Sequence, residues 1–229
     1  MNILAIGAHP DDIEFGCAPV LIQEIDRGHR VKMLVLSRGE AGSSGSPEER
    51  ERESLAAAKL MGAAVEFLDF GGDCRMEYHP ANALRLAMEV RKERPGVVLA
   101  PNPEENQHPD HSVVGRLVRD ACRLARYGGL DELKQFAPHP VGALLYYNIT
   151  LHVGRRPDVV VDVTGAVEKW ETVMRCHQTQ LRAKSYLELQ LTAARLLGLS
   201  AGVGYAIGLL ANDPIRVDQV SSLVGARAF

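Results

Sequence analysis

Short apolar runs alternate with longer stretches of helical periodicity over residues 1–125. The runs have the length and aliphatic character of buried strands, and they lie at Ile3–Ile6, Val31–Leu36, Ala64–Phe67 and Val97–Pro101. The helical stretches are Gly16–Arg27, Ser46–Met61, Pro80–Arg94 and His111–Ala125. This alternation predicts an α/β fold, because parallel strands need a crossover, usually a helix, between them.

The second half of the chain has a less regular pattern. Further strands are predicted at Gly142–Tyr147 and Val159–Val163, helices at Ala166–Arg182 and Tyr186–Leu197, a Gly-punctuated apolar segment at Ala201–Leu210 and a last short strand at Ile215–Val217. We see no internal repeat, low-complexity tract or clear linker. We therefore predict a single domain over residues 1–229, built on a Rossmann-like, parallel, doubly wound sheet with a less regular C-terminal portion.

Composition and charge narrow the class of protein. A formal net charge of −3 gives no electrostatic reason to expect nucleic acid or a membrane surface as a partner. The N-terminal apolar run is short and has no basic segment before it, so we expect a cytoplasmic protein. The cysteines, which are Cys17, Cys74, Cys122 and Cys176, lie far apart in the sequence and are expected to be reduced.

Two clusters of ionisable residues follow two of the predicted strands. His9-Pro10-Asp11-Asp12 comes after the first strand, and Gln107-His108-Pro109-Asp110-His111 comes after the fourth. Helix capping alone can explain one such cluster, because Asp and other small polar residues are common at helix starts. Two clusters at the carboxyl ends of strands in one parallel sheet indicate instead a ligand site, because ligands bind at that edge.

The residue types in the clusters are those of a catalytic zinc site. Such a site takes three protein ligands from His and Asp or Glu and keeps one position for water. His9 and Asp12 are three residues apart on a turn that enters a helix, so they can point the same way, and Asp11 then points elsewhere. Either His108 or His111 can complete the set. The small-residue stretch Ser37–Ser46 is expected to form a flexible wall of the site.

Both clusters, together with several other segments, resemble one family of enzymes. The other segments are Arg38-Gly39-Glu40-x-Gly42, Pro47-Glu48-Glu49-Arg50, Asn102, His177-x-x-Gln180 and Gly202-Val203-Gly204-Tyr205-Ala206. Over most of its length the chain resembles the LmbE/PIG-L family of zinc-dependent N-acetylglucosaminyl deacetylases. The branch that it most resembles contains the bacterial enzymes that deacetylate GlcNAc-malate in bacillithiol biosynthesis.

The resemblance implies a set of metal ligands and catalytic residues. One Zn²⁺ per chain would be held by His9, Asp12 and His111. Asp11 would be the general base, and His108 the second catalytic group, held in orientation by Asp110. Tyr205 corresponds to a tyrosine that helps to polarise the amide carbonyl, with ordinary packing as the alternative for this residue. The resemblance also suggests a homo-oligomer, such as a hexamer.

Substrate-binding roles follow less directly from the resemblance. Arg50 would bind the anionic or polar group attached to the sugar, and the alternative is an exposed charge on a helix. His177 can line the pocket or pack in the core. Gln107 stands where the GlcNAc-malate branch commonly has an arginine, so recognition of malate would lose one cationic partner.

The predicted activity is therefore hydrolysis of the acetamide of an N-acetylglucosamine conjugate, a metal-dependent amidohydrolase reaction on a linear amide. The alternative within this class is another small N-acetylated amino sugar. A nucleotide-binding module is disfavoured, because the first turn lacks a Gly-x-Gly-x-x-Gly pattern and its two carboxylates would repel phosphate. A metal-binding protein without catalysis is also disfavoured, because Asp11 and His108 are both present.

Overall fold

A seven-stranded sheet forms the centre of the protein in a computed structural model, which describes residues 1–104, 108–149, 156–182 and 185–219. The strands are β1 (Asn2–Gly7), β2 (Arg30–Val35), β3 (Ala64–Phe67), β4 (Val97–Pro101), β5 (Ala143–Tyr147), β6 (Val159–Asp162) and β7 (Ala206–Ala211). Their order across the sheet is β3-β2-β1-β4-β5-β7-β6. The first five strands pair in parallel, whereas β7 is antiparallel to both of its neighbours.

Helices cover both faces of this sheet. They are α1 (Asp12–Gly16), α2 (Ala18–Asp26), α3 (Pro47–Met61), α4 (Pro80–Glu93), α5 (Pro109–Leu124), α6 (Val167–Met174), α7 (Gln178–Leu181) and α8 (Tyr186–Ser200). Successive residues of β1 point to opposite faces, so Ile3 packs in one core with Trp170 of α6, and Leu4 packs in the other core with Leu86 of α4. This arrangement explains why the parallel strands are continuous apolar runs.

The predicted α/β fold is confirmed, and the caps of α3 agree with the sequence in detail. Ser46 accepts a hydrogen bond from the Glu49 backbone N–H, and the Glu49 carboxylate accepts one from the Ser46 N–H. Gly62 ends the helix at φ 89°, a left-handed conformation that glycine adopts without steric cost. Both ends of this helix are therefore fixed by local sequence.

Two helices predicted as continuous are divided in the structure. The stretch predicted at Gly16–Arg27 begins earlier, at Asp12, and breaks at Cys17, because Pro19 can stand only in the first turn of a new helix. The stretch predicted at Ala166–Arg182 breaks after Met174 and resumes at Gln178. His177 lies at this second break and turns into the protein interior.

The C-terminal part departs further from the sequence interpretation. The apolar segment Ala201–Leu210 contributes β7, which inserts between β5 and β6. The strand predicted at Ile215–Val217 is wrong, since these residues are exposed and pair with no neighbouring strand among the described residues. The prediction of one domain over residues 1–229 extends beyond the described residues and stays a prediction.

The strand order places the ends of β1 and β4 side by side. The chain leaves β1 towards β2 on one side and enters β4 on the other, so a crevice opens between their carboxyl ends. The two clusters of ionisable residues follow these two strands. In the described ranges, no helix is both long enough and apolar enough to cross a membrane.

Candidate functional site

The turn after β1 holds two neighbouring aspartates in different environments. Asp11 has φ 109°, a left-handed backbone conformation in which Asp and Asn are tolerated better than most residues. Asp12 begins α1, and its Oδ2 accepts hydrogen bonds of 2.8 Å from the backbone N–H groups of Ala8 and His9. The turn therefore separates the two carboxylates, as the sequence predicts, and fixes that of Asp12.

Three histidines that follow β1 and β4 lie close together at this turn. His9 follows β1, while His108 caps the start of α5 and His111 lies in its first turn, both beyond β4. One ring nitrogen from each histidine lies within 4.8 Å of the other two. His111 Nε2 is 3.1 Å from Asp12 Oδ1, and His9 Nδ1 is 3.5 Å from Asp12 Oδ2.

These donors suit a zinc ion. Two ligands that each lie about 2.0–2.1 Å from zinc at a tetrahedral angle are about 3.3 Å apart. Asp12 contacts His111 through Oδ1 and His9 through Oδ2, each at close to this spacing, and all three side chains are buried. His9 also turns its other ring nitrogen, Nε2, to a carboxylate oxygen of Asp110 at 3.2 Å, the kind of outer contact that orients metal-binding histidines. The set His9, Asp12 and His111 therefore fits the group that the resemblance implies.

Asp73 is a site residue that the sequence analysis missed. It follows β3, is 7% exposed, and its Oδ1 lies 3.1 Å from His9 Nε2 and 3.5 Å from His108 Nε2. Its position beyond the carboxyl end of a third parallel strand was the signal that could have found it.

Burial and charge change the pKa of each group. Burial raises the pKa of Asp11 to about 6, and the nearby Arg50 opposes this rise. Burial disfavours the ionised form of Asp12, but His111 and His9 hold its pKa well below the usual range. Burial also acts to lower the pKa of His9, yet Asp12 and Asp110 raise it well above its ordinary value. The turn therefore separates the proton affinities of its two aspartates.

His108 and Asp110 contact each other differently from the arrangement that the resemblance implies. His108 Nδ1 accepts a hydrogen bond of 3.3 Å from the backbone N–H of Asp110, whereas the carboxylate oxygen lies 3.9 Å from this nitrogen. Asp110 directs that oxygen to His9 and to the backbone N–H of Cys74. Burial and the neighbouring His9 lower the pKa of His108. A neutral His108 therefore carries its proton on Nε2, which faces Asp73.

Arg50 is 5% exposed, so it is not the exposed helix charge that the sequence left as an alternative. Its Nη1 donates to the carbonyl of Gly39 at 3.0 Å, and its Nη2 donates to the carbonyl of Pro10 at 2.9 Å. Nη2 also lies 3.7 Å from Asp11 Oδ2. One guanidinium therefore joins the loop after β2 to the turn that holds Asp11.

The loop after β2 is more closely packed than its composition suggests. A Cβ atom at Gly39 would lie 1.9 Å from Arg50 Nη1, and one at Gly42 would lie 2.6 Å from the same atom. The loop is also tied to Asp73, which accepts a hydrogen bond from the Ala41 N–H. The glycines therefore make room for the guanidinium, and this part of the predicted wall packs against Arg50.

We expect Arg50→Lys to lower both the stability and kcat, because an ammonium group cannot bridge the two carbonyls with a planar fork. Hydrogen bonds to charged groups contribute about 1.5–3 kcal/mol each, so the free energy of unfolding should fall by about 2 kcal/mol. Denaturant unfolding and steady-state kinetics measure the two effects. Arg52→Lys, on the exposed side of the same helix, is the matched control. A rise in KM confined to acidic substrates, without loss of stability, would contradict this positioning role.

The remaining residues singled out from the sequence lie elsewhere. His177 is fully buried beneath the turn, and its Nε2 is 3.2 Å from Glu14 Oε1. Tyr205 precedes β7, where its backbone N–H donates to Thr164 Oγ1 and the guanidinium of Arg195 lies over its ring. Neither residue lines the cavity at the metal ligands. Gln107 lies outside the described residues.

A cavity of about 330 Å³ opens over the clustered side chains. The groups that could act on a substrate, Asp11 and His108, lie in its wall together with His9, Asp12 and His111. Residues 41–43 of the loop after β2 form another part of the wall, and Cys74 stands beside His108. This arrangement can activate a water molecule and stabilise charge on a bound carbonyl group.

The fold and the site together define a class of protein. His and Asp side chains that gather in the crevice between β1 and β4 of an α/β sheet are typical of metal-dependent enzymes. Residues 4–122, just over half of the chain, match the PIG-L family, which is described as GlcNAc-PI de-N-acetylase. The chain belongs to this family. The fold alone would not have distinguished it from other doubly wound proteins.

Similar proteins include more than one kind of enzyme. Diacetylchitobiose deacetylase of Thermococcus kodakarensis is 28% identical over 227 residues, which cover 91% of this chain and 82% of the relative. 4-Oxalmesaconate hydratase of Pseudomonas putida is 26% identical over 231 residues, which cover 91% and 88%. The crystal structure of the conserved protein TT1542 from Thermus thermophilus has a TM-score of 0.85 at 31% identity and covers 94% of this chain and 96% of its own.

Proposed function

We propose that this protein hydrolyses the acetamide of an N-acetylated amino sugar in a zinc-dependent reaction. The observation that carries the proposal is the position of Asp11 and His108 in one cavity with His9, Asp12 and His111. Membership of a family of de-N-acetylases and the likeness to diacetylchitobiose deacetylase support the same reaction. The products are acetate and a free amine.

His9, Asp12 and His111 would hold the metal ion. When bound, zinc supplies a Lewis acid for the carbonyl and lowers the pKa of a bound water to about 7. Asp11 accepts the proton of the attacking water, since a pKa near 6 leaves it ionised at neutral pH yet basic enough for proton transfer. Arg50 holds this carboxylate in place from the other side of the turn.

His108 serves the atoms that become charged during hydrolysis. Its Nδ1 is occupied by the Asp110 backbone N–H, so its Nε2–H is the donor available to the carbonyl oxygen or to the departing nitrogen. Asp73 lies 3.5 Å from Nε2 and can hold the ring in this orientation. The two catalytic groups therefore have separate roles.

The first substrate to test is GlcNAc-malate, on the strength of the resemblance to the bacillithiol branch. Arg50 lines the cavity, but both of its terminal nitrogens already bind backbone carbonyls. An acidic group on the sugar would therefore meet a guanidinium that is only partly available. With Gln107 in place of an arginine, we also expect less dependence on the second carboxylate of malate than in relatives that carry arginine at this position.

A substrate panel tests this proposal on the zinc-loaded protein. It compares kcat/KM for GlcNAc-malate, a mono-carboxylate analogue, free GlcNAc and diacetylchitobiose, with the released amine and acetate as the readout. We expect GlcNAc-malate and the mono-acid to be used alike, and both about tenfold better than free GlcNAc, the effect of one charged contact. Equal use of free GlcNAc would place the protein outside the bacillithiol branch. No release of acetate from any member would contradict deacetylation.

A second candidate reaction is the addition of water to a carbon–carbon double bond. The observation that favours it is the likeness to 4-oxalmesaconate hydratase over 91% of the chain. Both reactions require an activated water molecule, so the described site suits either one. Loss of ultraviolet absorbance from an unsaturated tricarboxylate of the oxalmesaconate type, without release of acetate or amine, would identify the hydratase.

We make a separate proposal about the cellular compartment and the oligomeric state of the protein. We infer a cytoplasmic homo-oligomer, such as a hexamer, from the family resemblance. Light scattering coupled to size-exclusion chromatography measures the mass of the assembly. A monomeric mass would contradict the inference without affecting the proposed reaction.

A further inference from the structure

We propose that Asp73, Cys74 and His108 form a second metal site, which binds a thiophilic divalent cation such as Zn²⁺ and thereby inhibits the enzyme. The segment with Asp73 and Cys74 follows β3, and His108 caps α5. Their side chains meet at the wall of the cavity. None of the three belongs to the ligand set of the first metal.

The three donor atoms form a nearly equilateral triangle. Cys74 Sγ lies 3.4 Å from Asp73 Oδ1 and 3.4 Å from His108 Nε2, and these last two atoms are 3.5 Å apart. Zinc binds sulfur at about 2.3 Å and nitrogen or oxygen at about 2.0–2.2 Å, so tetrahedral ligands lie about 3.3–3.5 Å from one another. The triangle therefore matches three corners of a tetrahedron, and water or substrate can supply the fourth.

Two metal ions can be held without a shared ligand atom. The first set would use the Asp12 carboxylate, whose Oδ1 lies 3.1 Å from His111 Nε2 and whose Oδ2 lies 3.5 Å from His9 Nδ1. His9 Nε2 faces the other way and lies 3.1 Å from Asp73 Oδ1. His9 can therefore serve the first metal through one nitrogen and donate to Asp73 through the other.

The backbone at Cys74 directs its thiol into this triangle. Cys74 has φ 65°, in the left-handed region, and its N–H donates to Asp110 Oδ2 at 2.7 Å. Cys74 is also exposed, so a cation can reach the sulfur. A thiolate selects zinc and other soft cations over magnesium or calcium. The alternative is a thiol that merely donates a hydrogen bond to Asp73, and the experiment below separates the two.

Occupation of this site removes the donor that hydrolysis needs. A cation on His108 Nε2 takes the electron pair that would carry the proton, and Cys74 releases its own proton to the solvent on binding. The inhibitory part of the inference rests on the proposed function, because only there does His108 act on substrate. The binding part does not depend on any activity.

Cadmium titration of the metal-free protein tests the binding. Cd²⁺ binds the same kinds of ligand as Zn²⁺. A bond between Cd²⁺ and a thiolate gives a charge-transfer band in the ultraviolet. We expect two equivalents per chain and the band in wild type, but one equivalent and no band in Cys74→Ser. The matched control Cys176→Ser removes a partly exposed thiol outside the triangle and should retain the band, as should His111→Ala. Zinc should also slow alkylation of Cys74 in wild type. A missing band in wild type, or one that persists in Cys74→Ser, would overturn the site.

Zinc titration under turnover tests the inhibition, with each protein normalised to its own rate at one equivalent. Wild type and Cys176→Ser should lose activity as a second equivalent binds. Cys74→Ser should need at least about tenfold more zinc, because loss of a supporting group typically weakens metal binding by 10–100-fold. A second equivalent that leaves the wild-type rate unchanged would overturn inhibition and leave the binding site intact. Absence of turnover at every zinc level would count against the proposed function, while the cadmium result would stand.

Discussion

Asp11→Asn should lower kcat by about 10²–10⁴-fold, the usual contribution of a general base, and leave the metal content unchanged. The amide has nearly the same shape as the carboxylate but cannot accept the proton of water. Asparagine also tolerates the left-handed backbone at φ 109°, so the turn should keep its conformation. Single-turnover kinetics together with metal analysis of the purified variant measure both quantities.

The control for this substitution is Asp26→Asn, at an exposed position at the end of α2. It changes the same charge and should leave kcat as in wild type. If Asp11→Asn loses less than tenfold, Asp11 is a structural residue. If the variant loses its metal, the roles of Asp11 and Asp12 have been exchanged.

His111→Ala should weaken binding of the first metal ion, and the hydrolytic activity should be lost as a result. The side chain is buried, and its Nε2 lies 3.1 Å from Asp12 Oδ1, so its removal takes away one of the proposed ligands. We expect the metal affinity to fall by at least about a hundredfold, because even supporting residues contribute 10–100-fold. Competition with a chromophoric chelator measures the affinity. The control is His29→Ala, at a partly exposed position that belongs to neither cluster.

The same measurement on His108→Ala resolves the choice that the sequence left open. If His111 is the third ligand, His108→Ala keeps the first metal and loses activity alone. Full occupancy in His111→Ala combined with loss of metal in His108→Ala would reverse the assignment. Such a result would also remove the second metal site, because His108 could not serve both ions.

The sequence predicted that the two His-Pro-Asp clusters meet, because their positions follow from the direction of the strands that precede them. Each cluster directly follows a strand, and parallel strands present their carboxyl ends at one edge. The caps of α3 are equally local, since Ser46 and Glu49 bond to each other's backbone. Where the interacting groups are close in sequence or attached to neighbouring strand ends, the pattern alone was sufficient.

Other features depend on contacts that no local pattern records. Arg50 lies in a highly charged stretch of α3 that reads as an exposed face, and it is buried only because the loop after β2 folds over it. Asp73 follows a pair of glycines and is not part of a His-Pro-Asp cluster. The direction of β7 depends on which strands it joins, and an apolar segment of six residues can run either way between them.

The fit of Arg50 beneath Gly39 and Gly42 limits the ways in which the enzyme can be engineered towards larger substrates. A Cβ atom added at either glycine lies within 3.0 Å of the guanidinium, so a single substitution there should displace Arg50 from its hydrogen bonds and lower stability. Gly42 and Arg50 also line the cavity, so shortening Arg50 while a side chain is introduced at 42 would reshape the wall where the sugar's attached group is expected to lie. Effects at such contacting positions are not additive, so a broader substrate range would require paired substitutions.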